Sequence, residues 1–226
     1  MIEGRHLKKA FHGKSVLEDV SFLIGEGETV GLYGESGIGK STIAKLLTGV
    51  YRPDSGEILL DGIRLVSGDT PYDRKRGIMI QQVFQQPDAA LDPKQRVSDG
   101  LLELIRYHQL AKNREEEKKL AASAMESVGL EPAILTRLPH QISGGEAQRV
   151  CIAKCMLFRP RLLILDEATS MLDVSTQANV IGMVRRKMQE ANGSILLISH
   201  DRPLVDHLSD RIYIFDKKQI REENNK

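Results

Sequence analysis

The stretch Gly34-Glu35-Ser36-Gly37-Ile38-Gly39-Lys40-Ser41 limits what this chain can fold into more than any other. It follows a short apolar run, Val30-Gly31-Leu32-Tyr33. It leads into Lys40 to Thr48, where Ile43, Leu46 and Leu47 recur at helical spacing. Strand, glycine-rich turn and helix in that order are the context that makes the pattern a phosphate-binding loop of the Walker A type. The glycines let backbone N–H groups curl round phosphate oxygens, and the helix N-terminus adds its partial positive charge. Lys40 is then placed to reach the β- and γ-phosphates and Ser41 to bind Mg²⁺, with Thr42 beside them as a further contact. The loop predicts an α/β core of the P-loop type that binds ATP or GTP.

Leu162-Leu163-Ile164-Leu165-Asp166-Glu167 supplies the second half of such a site: an apolar strand that delivers two adjacent carboxylates to the end of a sheet. Asp166 suits the Walker B aspartate, holding Mg²⁺ directly or through water. Glu167, one residue on, can polarise an attacking water as a general base. An apolar strand ending in Asp-Glu is weak by itself, since it could simply cap a helix. The loop upstream gives it its meaning.

Further strands are predicted at Gly56 to Leu60, Ile78 to Phe84, Ile195 to Ile198 and Ile212 to Phe215, each bounded by Gly, Pro, Asp or Ser. Runs apolar throughout point to strands buried on both faces. Between Val97 and Phe158 the pattern changes to three helical stretches, Ser98 to Leu110, Arg114 to Val128 and Gly145 to Phe158. The chain therefore reads as one domain over residues 1–226. Its core covers 1–85 and 161–220, and a helical lobe is inserted at about 86–160. A later helix, Val174 to Asn192, carries Val174, Ala178, Ile181, Val184 and Met188 on one face, with Asp173 as candidate N-cap and Gly193 just past its end.

Lys plus Arg number 32 against 31 for Asp plus Glu, a net charge of +1, so no overall field draws in nucleic acid or anionic lipid. The longest apolar runs fall far short of the roughly 20 residues a membrane span needs. Met1 to Lys9 lacks the apolar core of a signal peptide, which predicts a cytoplasmic protein. Cys151 and Cys155 sit four apart on one predicted helix with no partner pair for a metal, and are expected to be reduced core thiols. The mixed-sign run Lys112 to Lys119 reads as a solvated helix face.

The loop and the carboxylates would also suit a nucleotide kinase or a small GTPase. Ile142-Ser143-Gly144-Gly145-Glu146 discriminates, because Ser-Gly-Gly at a helix start is a second phosphate-binding device. One chain has no evident need of two for one nucleotide. If the second serves the ATP of another subunit, the active unit is a head-to-tail dimer.

The order of the Walker A loop, Gln85, Ser143-Gly144-Gly145-Glu146, Asp166-Glu167, Ser170-Met171-Leu172-Asp173 and Ser199-His200-Asp201 resembles the ABC ATPase family over essentially the whole chain. The resemblance implies a mostly parallel sheet with flanking helices, an N-terminal antiparallel β region and an inserted α-helical subdomain. It implies that Ser143, Gly144, Gly145 and Glu146 form the signature facing the γ-phosphate of the partner's ATP. Gln85 would contact Mg²⁺ and the attacking water, His200 the γ-phosphate, and Asp173 the dimer interface. Phe11 stands where the family places an aromatic against adenine, with Tyr33 and Phe22 as nearby competitors. Implied cofactors are ATP and Mg²⁺. Implied partners are a second ATPase subunit, membrane permease subunits and, indirectly, an extracytoplasmic substrate-binding protein, with the chain peripheral on the inner face of the membrane.

Phe84 to Pro93 and Leu172 to Ala178 are similar to the peptide and nickel importer branch. Ile142, Glu146 and Met171 depart from the commonest signature and D-loop residues. The chain also ends soon after Phe215, so regulation through the C-terminal extension found in many members is not expected. The permease contact is expected on Gln85 to Val97, where prolines favour a loop and Ala89, Ala90 and Leu91 offer apolar area. The rivals are a soluble ABC ATPase acting on nucleic acid or a protein complex, disfavoured by the charge balance, and a P-loop kinase, which has no use for Ser143 to Glu146.

Overall fold

The computed structural model describes residues 1–84, 90–167 and 174–223; within 174–179 only the Gln177 side chain is described. The chain divides into two compact units. The first comprises Met1–Gln82, Pro160–Glu167 and Met188–Lys226; the second comprises Val83–Arg159 and Ala168–Lys187.

The first unit is built on two sheets. β1 (Ile2–Phe11), β2 (Lys14–Ile24), β4 (Ser55–Leu60) and β5 (Ile63–Ser67) form an antiparallel sheet in the order β2-β1-β4-β5. β3 (Thr29–Tyr33), β6 (Ile80–Val83), β7 (Leu162–Asp166), β8 (Ser194–Ser199), β9 (Arg211–Asp216) and β10 (Gln219–Glu223) form a second, in the order β10-β9-β3-β8-β7-β6. In that sheet β7, β8, β3 and β9 run parallel, and β10 is antiparallel to its neighbour β9. The architecture is an α/β P-loop core with an N-terminal antiparallel region.

Besides α2 (Arg74–Gly77), a single turn before β6, the first unit has α1 (Lys40–Leu47), which turns Ile43, Ala44, Leu46 and Leu47 into one buried cluster. That cluster also takes Ile2, Leu17 and Ile24 from the antiparallel sheet and Val30, Leu32, Ile164 and Ile198 from the parallel one. α7 (Arg202–Leu208) covers β3 so closely that a Cβ at Gly31 would stand 2.5 Å from Val205 Cγ1. Covered on both faces, β3, β7 and β8 are buried almost from end to end, as their uninterrupted apolar sequences require. β4, whose run includes Glu57, and β9 are buried less completely. β4 belongs to the antiparallel sheet and is exposed or half-buried over its first half, and β9 has only β10 beyond it before the sheet ends.

In the second unit α3 (Val97–Tyr107), α4 (Arg114–Ser127), two short 3-10 turns and α5 (Gly144–Met156) follow one another, with no strand between 97 and 158. α3 buries Val97, Leu101 and Ile105. α4 starts at Asn113, whose side chain accepts from the Glu116 N–H at 2.9 Å, and three glutamates in its first turn complement the dipole. The Lys119–Glu115 pair lies in solvent, as a charged helix face should. α6 (Val174–Glu190) buries Ile181 and Val184 in its second-unit portion. The side chains of Val174 and Ala178, and Asp173 as its cap, lie outside the described residues.

Leu91 corrects the expectation of an exposed apolar loop: it is 8% exposed, whereas Ala90 is exposed and Ala89 lies outside the described residues. Cys151 and Cys155 are buried thiols, and burial pushes the Cys155 thiol up to about 12. Among the described residues no helix is long and apolar enough to cross a membrane.

Candidate active site

The phosphate loop is shaped by what presses on it. At Gly34, where β3 ends, a Cβ would stand 2.8 Å from the Phe215 carbonyl oxygen and 2.7 Å from Ile38 Cδ1, so only glycine fits. At Gly39 φ is 123°, a region L side chains avoid, and a Cβ would also meet Val16 Cγ1 at 2.7 Å. Glu35, Ser36, Gly37 and Ile38 form the turn between them, and α1 starts at Lys40. The Lys40 side chain is 4% exposed, and its Nζ donates to the carbonyls of Gly34 and Glu35, both at 2.6 Å. Burial holds its pKa below the ordinary lysine value, opposed by the charges of Glu167 and Asp166. The ammonium thus ties the loop together from inside, 4.0 Å from Glu167 Oε1.

β7 carries Asp166 to the end of the parallel sheet. Asp166 Oδ1 accepts from Ser41 Oγ at 3.2 Å and Oδ2 from Gln82 Nε2 at 3.3 Å. Burial pushes its carboxyl up, the Ser41 hydrogen bond pulls it down, and the Glu167 charge adds to the rise. Glu167 follows with φ 48°, left-handed backbone at a residue that is not glycine, a conformation that costs of the order of 1–3 kcal/mol. Its N–H donates to the Ile198 carbonyl at 3.0 Å, which pins the strained turn to β8. The turn directs Oε1 to 3.2 Å from His200 Nδ1. His200 comes directly after β8, and Asp201 behind it caps α7 by accepting from the Leu204 N–H at 3.2 Å. Lysine, two carboxylates, a hydroxyl and an imidazole are thereby gathered at one edge of the sheet.

Phe11, Lys45 and Tyr51 line the same cleft as Gly37, Gly39 to Thr42 and Glu167. The rings of Phe11 and Tyr51 meet edge-on, centroids 4.9 Å apart, with Lys45 Nζ 5.3 Å from the Tyr51 ring. Neither competitor for the base lines this cleft. Phe22 is buried and packs where Gly4 leaves room, and the Tyr33 ring carries the Arg202 guanidinium at 5.3 Å. Tyr51, Lys45 and Gln82 were not foreseen. Lys45 was open to inference, because it lies one helical turn from Ser41. Tyr51 and Gln82 come from loop and strand placement that no local pattern marks.

The second unit holds the Ser-Gly-Gly turn. Ser143 is the N-cap of α5: its Oγ accepts from the Glu146 N–H at 3.2 Å while the Glu146 carboxylate accepts from the Ser143 N–H at 2.8 Å. The two residues close a capping box. Ser143 and Gly144 remain exposed. Gln85 and Asp173 lie outside the described residues.

Comparison with known proteins agrees with this geometry. The ABC transporter family model matches residues 17–170. The nickel import ATP-binding protein NikE of Brucella suis is 39% identical over 93% of this chain and 79% of its own length. The oligopeptide transport ATP-binding protein OppF of Haemophilus influenzae is 37% identical over 88% of this chain, which spans 60% of that protein. Among solved structures, the dimeric post-hydrolysis state of the ATP-binding cassette MJ0796, bound to ADP and Pi, superposes with a TM-score of 0.83 at 28% identity. It covers 99% of this chain and 98% of its own. Glycine loop, paired carboxylates and this likeness converge on one conclusion: the chain belongs to the ABC transporter family, as an ATP-binding subunit that hydrolyses ATP.

Proposed function

We propose that this subunit energises an importer of peptides or nickel complexes, working as a head-to-tail pair of cassettes beneath membrane permease subunits at the inner face of the membrane. The observation that carries the ATPase chemistry is the meeting of Lys40, Ser41, Asp166, Glu167 and His200 at one sheet edge. The importer branch is supported by the likeness to the NikE and OppF proteins. An extracytoplasmic binding protein would deliver the cargo.

Phe11 and Tyr51 offer ring faces to the adenine, and the loop Gly34 to Thr42 cradles the phosphates. Lys40 exchanges its two carbonyl partners for the β- and γ-phosphates. Ser41 Oγ and Asp166 Oδ1, hard oxygens 3.2 Å apart, are the residues that would hold Mg²⁺. There the cation would supply positive charge to offset the charge that develops on the phosphates. Glu167 accepts a proton from the attacking water, and His200, bonded to the same carboxylate, steadies it and reaches the γ-phosphate. Gln85 orients that water from the neighbouring segment, and Asp173 meets the partner cassette. Ser143, Gly144 and Gly145 close on the ATP of the partner, while Glu146 serves by holding their turn. Because closure binds ATP more tightly than the open state does, it drives the permease.

The test compares Lys40→Ala with Glu167→Gln. The first should lose nucleotide affinity. The second should keep it, turn over about 10²-fold more slowly or worse, and shift from monomer to dimer with ATP in light scattering. Normal turnover in Glu167→Gln would refute the assigned base. Uptake of labelled nickel against a labelled tripeptide, by vesicles holding the assembled transporter, decides the cargo.

A further inference from the structure

Gln82 stands on β6 next to β7, between buried Ile80 and Val83, where an amide costs free energy unless it is bonded. Its Nε2 donates to Asp166 Oδ2 at 3.3 Å, and Ser41 Oγ donates to the other oxygen at 3.2 Å. The two oxygens of one carboxylate are therefore gripped by donors from two different elements, β6 and α1. Two donors fix both the direction of the carboxylate and the rotation of its plane, which one donor alone would leave free. Ser41 itself lines the cleft beside the phosphate loop. The amide of Gln82 holds Oδ2 and leaves Oδ1 turned toward Ser41.

We propose that Gln82 is a positioning residue for the divalent cation: by holding Asp166 Oδ2 it presents the carboxylate in the orientation that binds the metal together with nucleotide. This rests on the assignment of Ser41 and Asp166 as metal holders. Partners of this kind, which orient a metal ligand from behind, typically matter by about 10–100-fold in metal affinity.

The experiment uses the full chain with Mn²⁺ as probe and a non-hydrolysable ATP analogue, reading free Mn²⁺ by electron paramagnetic resonance. Gln82→Met, similar in length but without a donor, should weaken Mn²⁺ binding to the protein–nucleotide complex by about 10-fold or more. Binding of the analogue in EDTA should stay unchanged. In an Asp166→Asn background the same substitution should add nothing, since Gln82 acts through that carboxylate. An unchanged Mn²⁺ affinity in Gln82→Met, or an equal loss in both backgrounds, would overturn the proposal. Gln82→Asn keeps the amide but falls a methylene short of Asp166. It should show the same loss, and it replaces Gln82→Met if that variant does not fold. Wild-type protein that binds the analogue but no Mn²⁺ would defeat the metal assignment itself, a result distinct from a failure confined to Gln82.

Discussion

At Gly34 to Gly39 the turn before α1 is set from outside: by the Phe215 carbonyl, by Val16, and by a buried lysine bonded to the carbonyls of the loop. At Ser143 to Gly145 the turn before α5 is set from within four residues, by the reciprocal hydrogen bonds of Ser143 and Glu146. A Cβ at Gly144 would meet nothing within 4 Å. The first turn exists because a core has been assembled round it, and the second is held by its own sequence. A glycine-containing turn at a helix start can thus be held by tertiary constraint or by local capping, and the two should fail differently.

Alanine in each turn gives the largest contrast. Gly34→Ala forces its methyl against a backbone oxygen and should cost about 1–3 kcal/mol in urea unfolding, with nucleotide affinity falling alongside. Gly144→Ala enters open space at the first position of a helix and should leave stability unchanged or raise it by up to about 1 kcal/mol. Equal losses at both positions would break the comparison.

Ser143→Ala removes the side-chain cap and should lower stability by about 1 kcal/mol. Hydrogen exchange should locate that loss at the start of α5. A loss spread through the β3–α1 region as well would mean that the second turn is not locally held.

A third change acts inside α5. Gln148 is fully buried, and neither amide atom has a hydrogen-bond partner among the described residues. Gln148→Met keeps the length and removes two unsatisfied groups, so it should stabilise by about 1 kcal/mol in the same unfolding assay. Destabilisation would mean that the amide is paired in solution.

What the sequence disclosed follows the same division. The loop, the carboxylates on β7 and the serine cap were readable because each is a contiguous pattern with a local cause. The N-terminal sheet was harder to read. Register shifts between Gly4 and Ala10 break the alternation that marks a strand, and the hairpin joining β1 to β2 turns on His12-Gly13 with both φ values positive. Asp61-Gly62 between β4 and β5, with both φ values positive, is a legible hairpin signal. Lys217-Lys218 between β9 and β10 adopts the same conformation without any glycine, and carries no such signal. Glu167–His200 and Gln82–Asp166 are contacts between neighbouring strand ends far apart in sequence. Only strand order brings them together.

The smallest effect separates the two turns by pH. The Ser143 N–H, then its hydroxyl, with the charges of Arg137 and Arg149, hold the Glu146 carboxyl below its ordinary value of 4.5, against the opposing cost of burial. In the window just below 4.5 the unfolded chain therefore binds a proton that the folded chain does not. The contribution of Glu146 is present in full above that value and is lost as pH falls through the lowered one. Glu146→Gln keeps an acceptor for the Ser143 N–H but gives up the charge at the helix start. It should cost about 0.3–1 kcal/mol at pH 7, shrinking toward nothing at acid pH. Lys40 acts at the other end of the scale. Burial lowers its pKa from 10.5, so the charged form weighs against folding, and that penalty is relieved as pH rises past the lowered value. In urea unfolding, the difference between wild type and Glu146→Gln should change with pH only at the acid end, and that between wild type and Lys40→Met only at the alkaline end. A Glu146→Gln difference that stays constant down to pH 3 would mean that the charge takes no part in holding the second turn.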